Sequence, residues 1–193
     1  MCGRYLFTDE QMEEIRHIAE QIDKKYNVGP WKQVEIFPST KAPVLLECSG
    51  SIEPELLTWG YQMPKSLVIN ARAETAAEKP MFRDSVFSMR CVIPSTGFFE
   101  WNRQKRKFLF TVPDNGALYM AGLYSVWDGK PSYVILTTDA NDSMREIHHR
   151  MPLVLQKEHV SSWLIDPEAT EEFLHMTPPM LNRVAVDAQF QLW

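Results

Sequence analysis

A cysteine stands second in this chain, in Met1-Cys2-Gly3-Arg4-Tyr5. Removal of the initiator methionine, expected before so small a residue, leaves Cys2 with a free α-amine beside its thiol. The ordinary pKa values of these groups lie near ~8 and ~8.5, so reactive amine exists around neutrality. Such a 1,2-aminothiol is matched to an aldehyde. The amine condenses to a Schiff base, and the thiol then adds to the imine carbon and closes a five-membered thiazolidine. A cysteine also falls at position two by chance, so Cys2 alone assigns no reaction.

Three further segments carry reactive groups. Asn70-Ala71-Arg72-Ala73-Glu74-Thr75 follows the apolar run Leu67-Val68-Ile69. Strand alternation would set Asn70, Arg72 and Glu74 on one face. An arginine there suits a phosphate, and an asparagine can hold an amine or a carbonyl without charge. A plain salt bridge between Arg72 and Glu74 is the competing reading. In Gly97-Phe98-Phe99-Glu100-Trp101 a carboxylate sits among aromatic rings, where desolvation raises a pKa toward the range of general acid–base work. The alternative is an outward Glu100 with Phe99 and Trp101 on the opposite face. In Ile147-His148-His149-Arg150-Met151-Pro152 the adjacent histidines point in different directions, so one at most serves a given site. His17, His159 and His175 show no metal-motif spacing with them, and no metal or other cofactor is expected.

These residues need elements to hold them. Thr8, three residues before Gln11, has capping-box spacing, and Met12, Ile15, Ile18, Ala19 and Ile22 then recur on one helical face until Gly29-Pro30. Beyond it the pattern is strand-like: 44–46, 56–61, 67–69, 89–93, 108–112, 118–127 and 133–137 are short, β-rich and bounded by Pro, Gly or Asp. Helical stretches fit 142–149 and 158–164, Asp166-Pro167 opens another, and 183–193 reads as a closing strand. Many short strands with few helices predict an α+β domain, a curved antiparallel β-sheet or barrel-like core flanked by helices. No repeat, low-complexity tract or linker interrupts residues 1–193, which read as a single domain.

Composition narrows the class. The chain has 193 residues, 45% hydrophobic and 23% charged, which excludes a disordered chain, a collagen-like repeat and a coiled coil. No apolar run reaches the ~18–20 residues of a membrane span, and no signal-peptide layout is present. Cys2, Cys48 and Cys91 form no disulfide framework, so a reduced, cytoplasmic location is expected. The net charge is −5, but residues 1–60, 61–110 and 111–193 carry balances of −4, +5 and −6. A basic middle can present a local positive face, although Lys105, Arg106 and Lys107 also fit a solvated hairpin.

Taken in order, Cys2-Gly3-Arg4, Asn70-Ala71-Arg72-x-Glu74-Thr75, Gly97-Phe98-Phe99-Glu100-Trp101 and His148-x-Arg150-Met151-Pro152 resemble the SOS-response-associated peptidase (SRAP) family, proteins that crosslink to abasic sites in DNA. The resemblance runs from Cys2 to about Leu155, with Trp59-Gly60-Tyr61 and Pro80-Met81-Phe82 also fitting. It implies that Cys2 is the nucleophile, crosslinking to the ring-opened sugar of an abasic site in single-stranded DNA. It implies that Asn70 orients the Cys2 amine, and that Glu100 and His148 move protons. It also makes Arg4, Arg72 and Arg150 phosphate contacts, with Pro38 and Thr137 at other DNA-facing positions. The implied activity is self-modifying and lyase-like. The expected protein is a monomer, associated with the bacterial nucleoid when DNA-bound, with no replication partner specified. The stretch Val34 to Ser39 replaces an Asn-containing turn common in relatives, 61–66 lacks their tryptophan pair, and the stretch after Leu181 departs from their pattern. Two other readings stand beside crosslinking: a thiol autopeptidase removing its own N-terminal residue through Cys2 and His148, and a non-covalent single-stranded DNA binding module.

Overall fold

The computed structural model describes residues 2–8, 12–113, 116–127 and 129–186. Strand β1 (Tyr5–Leu6) and helix α1 (Glu13–Tyr26) lead into β2 (Glu35–Ile36), β3 (Lys41–Cys48), β4 (Ser51–Trp59), β5 (Tyr61–Gln62), β6 (Leu67–Val68) and β7 (Asn70–Arg72). Helices α2 (Ala73–Ala76) and α3 (Arg83–Ser88) come next. Then follow β8 (Arg90–Ser95), β9 (Gly97–Trp101), β10 (Lys107–Thr111), β11 (Leu118–Trp127), β12 (Lys130–Asp139), β13 (Arg150–Pro152) and β14 (Val154–Leu155). A 3₁₀ turn (Lys157–His159) enters α4 (Val160–Ile165), and α5 (Thr170–His175) and β15 (Asn182–Val186) complete the described chain.

The expected α+β fold with a curved sheet is present. Strand β12 pairs with β4, β4 with β3, β3 with β8, β8 with β11, and β11 again with β12, so five strands close into a ring. Closure removes the open edges that would otherwise seek another strand. All these pairings are antiparallel except β12 with β4; β7 also lies parallel to β12. The β3–β4 hairpin turns on Ser49 and Gly50, both at positive φ (52° and 89°), the geometry a two-residue turn requires. Gly122 on β11 permits the close strand approach inside the ring. A Cβ there would lie 2.7 Å from the Val134 carbonyl and 2.5 Å from Ile93 Cδ1.

A second sheet, ordered β15-β10-β9-β1-β2, packs its inner face on the ring through Tyr5, Ile36, Phe98 and Phe110, all fully buried. The join is aromatic. Tyr5 packs on Trp59 with centroids 5.2 Å apart, Trp59 stacks on Tyr133 at 6.3 Å, and the Tyr5 and Tyr133 hydroxyls meet at 2.7 Å. The Trp59 indole N–H donates to the Ile69 carbonyl at 3.0 Å, so a wholly buried ring has its polar atom satisfied. This cluster fastens the start of the chain over β4 and β12.

Helix α1 buries Ile15, Ile18, Ala19 and Ile22, as its spacing predicts, and ends at Asn27 in the left-handed conformation. Its first described cap is Met12, without a side-chain bond; the capping box expected on Thr8 and Gln11 falls largely on 9–11, outside the described residues. The closing strand is present over Asn182–Val186, and residues 187–193 also lie outside. The helix expected at 142–149 is instead a run of turns. Asn141 Oδ1 accepts the Ser143 N–H at 3.0 Å, a local bond that competes with helical pairing. Asp166 likewise forms a turn, accepting the Glu168 N–H at 2.9 Å, and α5 begins at Thr170. Buried Arg90 binds carbonyls at the ends of both α3 and α4: Phe87 at 2.7 Å and Trp163 at 2.6 Å. Cation placement there suits the negative helix C-termini. No described helix is long and apolar enough to cross a membrane.

Candidate functional site

Strand β12 positions most of the site. On one edge its last residues pair with β7 (Ile135↔Asn70, Thr137↔Arg72), and on the other with β13 (Thr137↔Pro152, Asp139↔Arg150). Asn70 and the His148–Arg150 segment thus reach the same end of the ring from distant stretches of chain. Strand β9 brings Glu100 from the second sheet. Extending the β1–β9 register of Tyr5↔Phe98 sets Glu100 opposite Gly3, next to Cys2. Glu100 shares the inward face with Phe98 and is 5% exposed, which overturns the outward alternative left open by the sequence.

Four sequence-expected residues therefore converge. Asn70 Nδ2 donates to the Cys2 carbonyl at 3.0 Å, while Asn70 Oδ1 is buried and has no hydrogen-bond partner among the described residues. Cys2 is 1% exposed, its thiol 3.8 Å from the Arg4 carbonyl. Burial, reinforced by the Glu100 charge, pushes the Cys2 thiol up to about 12, so it is protonated at neutral pH. Burial lowers the His148 pKa below its ordinary value, while Glu100 pulls the other way. Glu100 thus acts electrostatically on both the thiol and the imidazole. His148 Nδ1 lies 3.0 Å from the Arg150 N–H and 3.1 Å from the Arg150 carbonyl. It accepts from the amide when bare and donates to the carbonyl when protonated. His149 is exposed and stacks on His148 with centroids 4.5 Å apart.

The arginines divide. Arg72 is exposed beside a cleft of about 490 Å³ that includes Val68, Asn70, Met81, Phe82 and Thr137. Arg4 lies half-buried, its guanidinium 4.5 Å above the Phe37 ring. Pro38 follows Phe37 in a partly exposed turn. Arg150 and Thr137, which the resemblance makes DNA-facing, have buried side chains in the free protein. The Arg150 side chain is 5% exposed and binds both Glu74 oxygens, Asp139 Oδ1 at 2.8 Å and the Thr137 carbonyl at 2.6 Å. The Thr137 hydroxyl is buried and donates to the Ala71 carbonyl at 3.3 Å. Glu74 therefore pairs with Arg150 and not in the simple Arg72–Glu74 bridge that adjacency suggests. The cause is β12, which carries β7 and β13 on its two edges. Arg150→Ala is expected to cost about 2–3 kcal/mol in urea denaturation, because it strands Glu74 and an inward carbonyl.

The sequence did not single out Tyr5, Tyr133 or Glu35, and it offered Lys107 only as part of a basic run; their roles depend on contacts between separated segments, for example Lys107 Nζ to Glu35 Oε1 at 3.1 Å and the Tyr5 and Tyr133 hydroxyls at 2.7 Å. Cys48, Glu53 and Glu55 also bring potential ligand atoms within 4.8 Å of one another. The Lys25 ammonium already pairs with Glu53 at 3.3 Å and with Glu55, supplying the positive charge that such a cluster would seek.

Solved structures share this architecture. A protein from Bacteroides thetaiotaomicron superposes with a TM-score of 0.78 at 23% identity, covering 98% of this chain and 94% of that one. One from Bordetella bronchiseptica gives 0.75, also at 23% identity, covering 96% and 100%. The family model "SOS response associated peptidase (SRAP)" matches residues 1–189, and the chain belongs to that family. The match passes well beyond Leu155 and takes in the stretch after Leu181 that the sequence reading set apart. Among curated proteins, the abasic site processing protein YoaM of Bacillus subtilis is 32% identical over 191 residues, covering 90% of this chain and 83% of YoaM. The abasic site processing protein YedK of Escherichia coli is 30% identical over 176 residues, covering 85% and 79%.

Proposed function

We propose that this chain processes abasic sites, and does so by crosslinking to the ring-opened sugar in single-stranded DNA through Cys2. The observation that carries the reading is the meeting of Cys2, Asn70, Glu100 and His148 from four separated segments; the names of YoaM and YedK support the lesion class. With Met1 removed, the Cys2 amine adds to the C1′ aldehyde and the carbinolamine loses water to form an imine. Sγ then bonds to C1′, and the thiol proton passes to the nitrogen. Asn70 Oδ1, a buried acceptor without a partner among the described residues, holds the amine toward the aldehyde. Glu100 relays the protons that leave and return at nitrogen and sulfur. His148 exchanges protons at the sugar hydroxyl through Nε2, since Nδ1 is engaged by Arg150. A thiol held protonated by burial favours this order, amine first, over direct thiolate attack on a peptide bond.

The test is intact mass after incubation with a single-stranded oligonucleotide holding one abasic site. The expected product is protein lacking Met1 plus the strand minus one water, stable to heat. Unmodified protein at long times would overturn the reading. In the same assay His148→Ala is expected to slow crosslinking by roughly tenfold or more, and His149→Ala far less. Equal losses would reassign the motif histidine.

A further inference from the structure

The outer face of the second sheet holds an unusual knot of charge and aromatic rings. Alternation turns Phe99 and Trp101 of β9 outward, and Lys107 of β10 is directly opposite Trp101 in the ladder. Lys107 Nζ lies 3.6 Å from the Phe99 ring centre and 5.7 Å from that of Trp101. Arg4 sits over Phe37 at 4.5 Å and near Trp101 at 5.3 Å. One carboxylate oxygen serves both cations: Glu35 Oε1 is 3.1 Å from Lys107 Nζ and 3.4 Å from Arg4 Nη1. Glu35 stands on β2, paired with Leu6, and is 30% exposed, while Phe37 beside it is 39% exposed.

We propose that this ledge is a nucleotide subsite in which Glu35 stands in for a backbone phosphate when DNA is absent. The inference rests on the DNA-binding reading above. A phosphate oxygen can take the place of Oε1 between Arg4 and Lys107, and a base can lie against Phe37 and Trp101, the pairing of cations and rings that single strands use. Glu35 then swings to solvent, which its partial exposure permits. In the free protein it neutralises two cations held against apolar rings, so neither is left desolvated without a counter-charge. It also sets the affinity, because every phosphate bound here must displace it. Glu35 therefore biases the protein against undamaged strands and leaves retention to the covalent step at Cys2.

Binding of an undamaged, fluorescently labelled single-stranded oligonucleotide tests this across a salt series, with the full chain. Glu35→Gln is expected to bind about three- to fivefold more tightly at low salt, the scale of a half-exposed ion pair. Its salt slope should steepen by about 0.7 for each cation passed to a phosphate. Adding Lys107→Gln to Glu35→Gln should remove most of the gain. Glu20→Gln, the same charge change on the solvent face of α1, should bind as the wild type does. Unchanged or weaker binding by Glu35→Gln overturns the proposal, whether or not its melting temperature falls, and so does an equal gain from Glu20→Gln. If wild-type protein crosslinks abasic DNA while Glu35→Gln shows no gain, only the subsite fails. If wild-type protein binds no single strand at all, the DNA reading fails with it.

Discussion

Cys2→Ala is expected to form no heat-stable crosslink with abasic DNA, the largest single effect in this protein, because it removes the thiol that closes the ring and leaves at most a labile imine. Two companions separate the parts of the chemistry. Cys2→Ser keeps the amine and is expected to give only a labile imine, trapped by borohydride and lost on heating. One residue retained ahead of Cys2 turns the amine into an amide, whose lone pair is delocalised into the carbonyl and scarcely nucleophilic. Such a protein should keep its affinity for undamaged strands and form no stable adduct. Cys48→Ala and Cys91→Ala should crosslink normally, since neither thiol has an α-amine beside it. Crosslinking by the permanently extended protein at the wild-type rate would show that a lysine or an internal thiol is responsible. The pH profile adds a sign. With the Cys2 thiol raised to about 12 by burial, its ionisation contributes no rise in rate near the ordinary thiol pKa. The α-amine, ordinarily near ~8, supplies one rise in that region, so a further rise that imine formation by Cys2→Ser lacks would mean that the thiol is solvated when it reacts.

Glu100→Gln is expected to slow crosslinking by roughly 10²-fold or more, within the range of general acid–base catalysis, while binding to undamaged strands changes little. The substitution keeps the shape of a buried side chain that contacts the Trp101 N–H at 3.2 Å, so loss of titration is the main change. It also removes the carboxylate charge that helps keep the Cys2 thiol protonated and that favours protonated His148. Both pKa values should therefore fall in this variant. For the thiol, the shift is toward more thiolate at a given pH; for His148, toward more neutral imidazole. Single-turnover kinetics read the rate, and NMR titration of the His148 ring reads the shift. An unchanged rate would return Glu100 to a packing role.

The amino-acid order alone determined the chemistry available and the class of fold. In the proposed chemistry the decisive feature is position two, where removal of the initiator methionine would leave an amine and a thiol on one residue. The strand-rich pattern and the amphipathic spacing of α1 are local properties, governed by side-chain periods of 2 and 3.6, and they survive into the structure. Short strands such as β1, β2 and β13 carry no such period, and they exist because a neighbouring ladder supplies their hydrogen bonds. The turns at 142–147 show the converse, a helical pattern lost to the side chain of Asn141. Which groups touch was decided by the tertiary structure. Strand β12 sets β7 and β13 on opposite edges, and this turns Arg150 inward onto Glu74, a pairing between residues 76 positions apart that the sequence does not announce. The pairing of β9 with β1 settles that Glu100 faces Cys2, and the pairings around β2 and β10 bring Glu35 to Arg4 and Lys107. Contacts of this kind join residues far apart in the chain, and they follow from closure of the ring and stacking of the second sheet upon it, which no local period encodes.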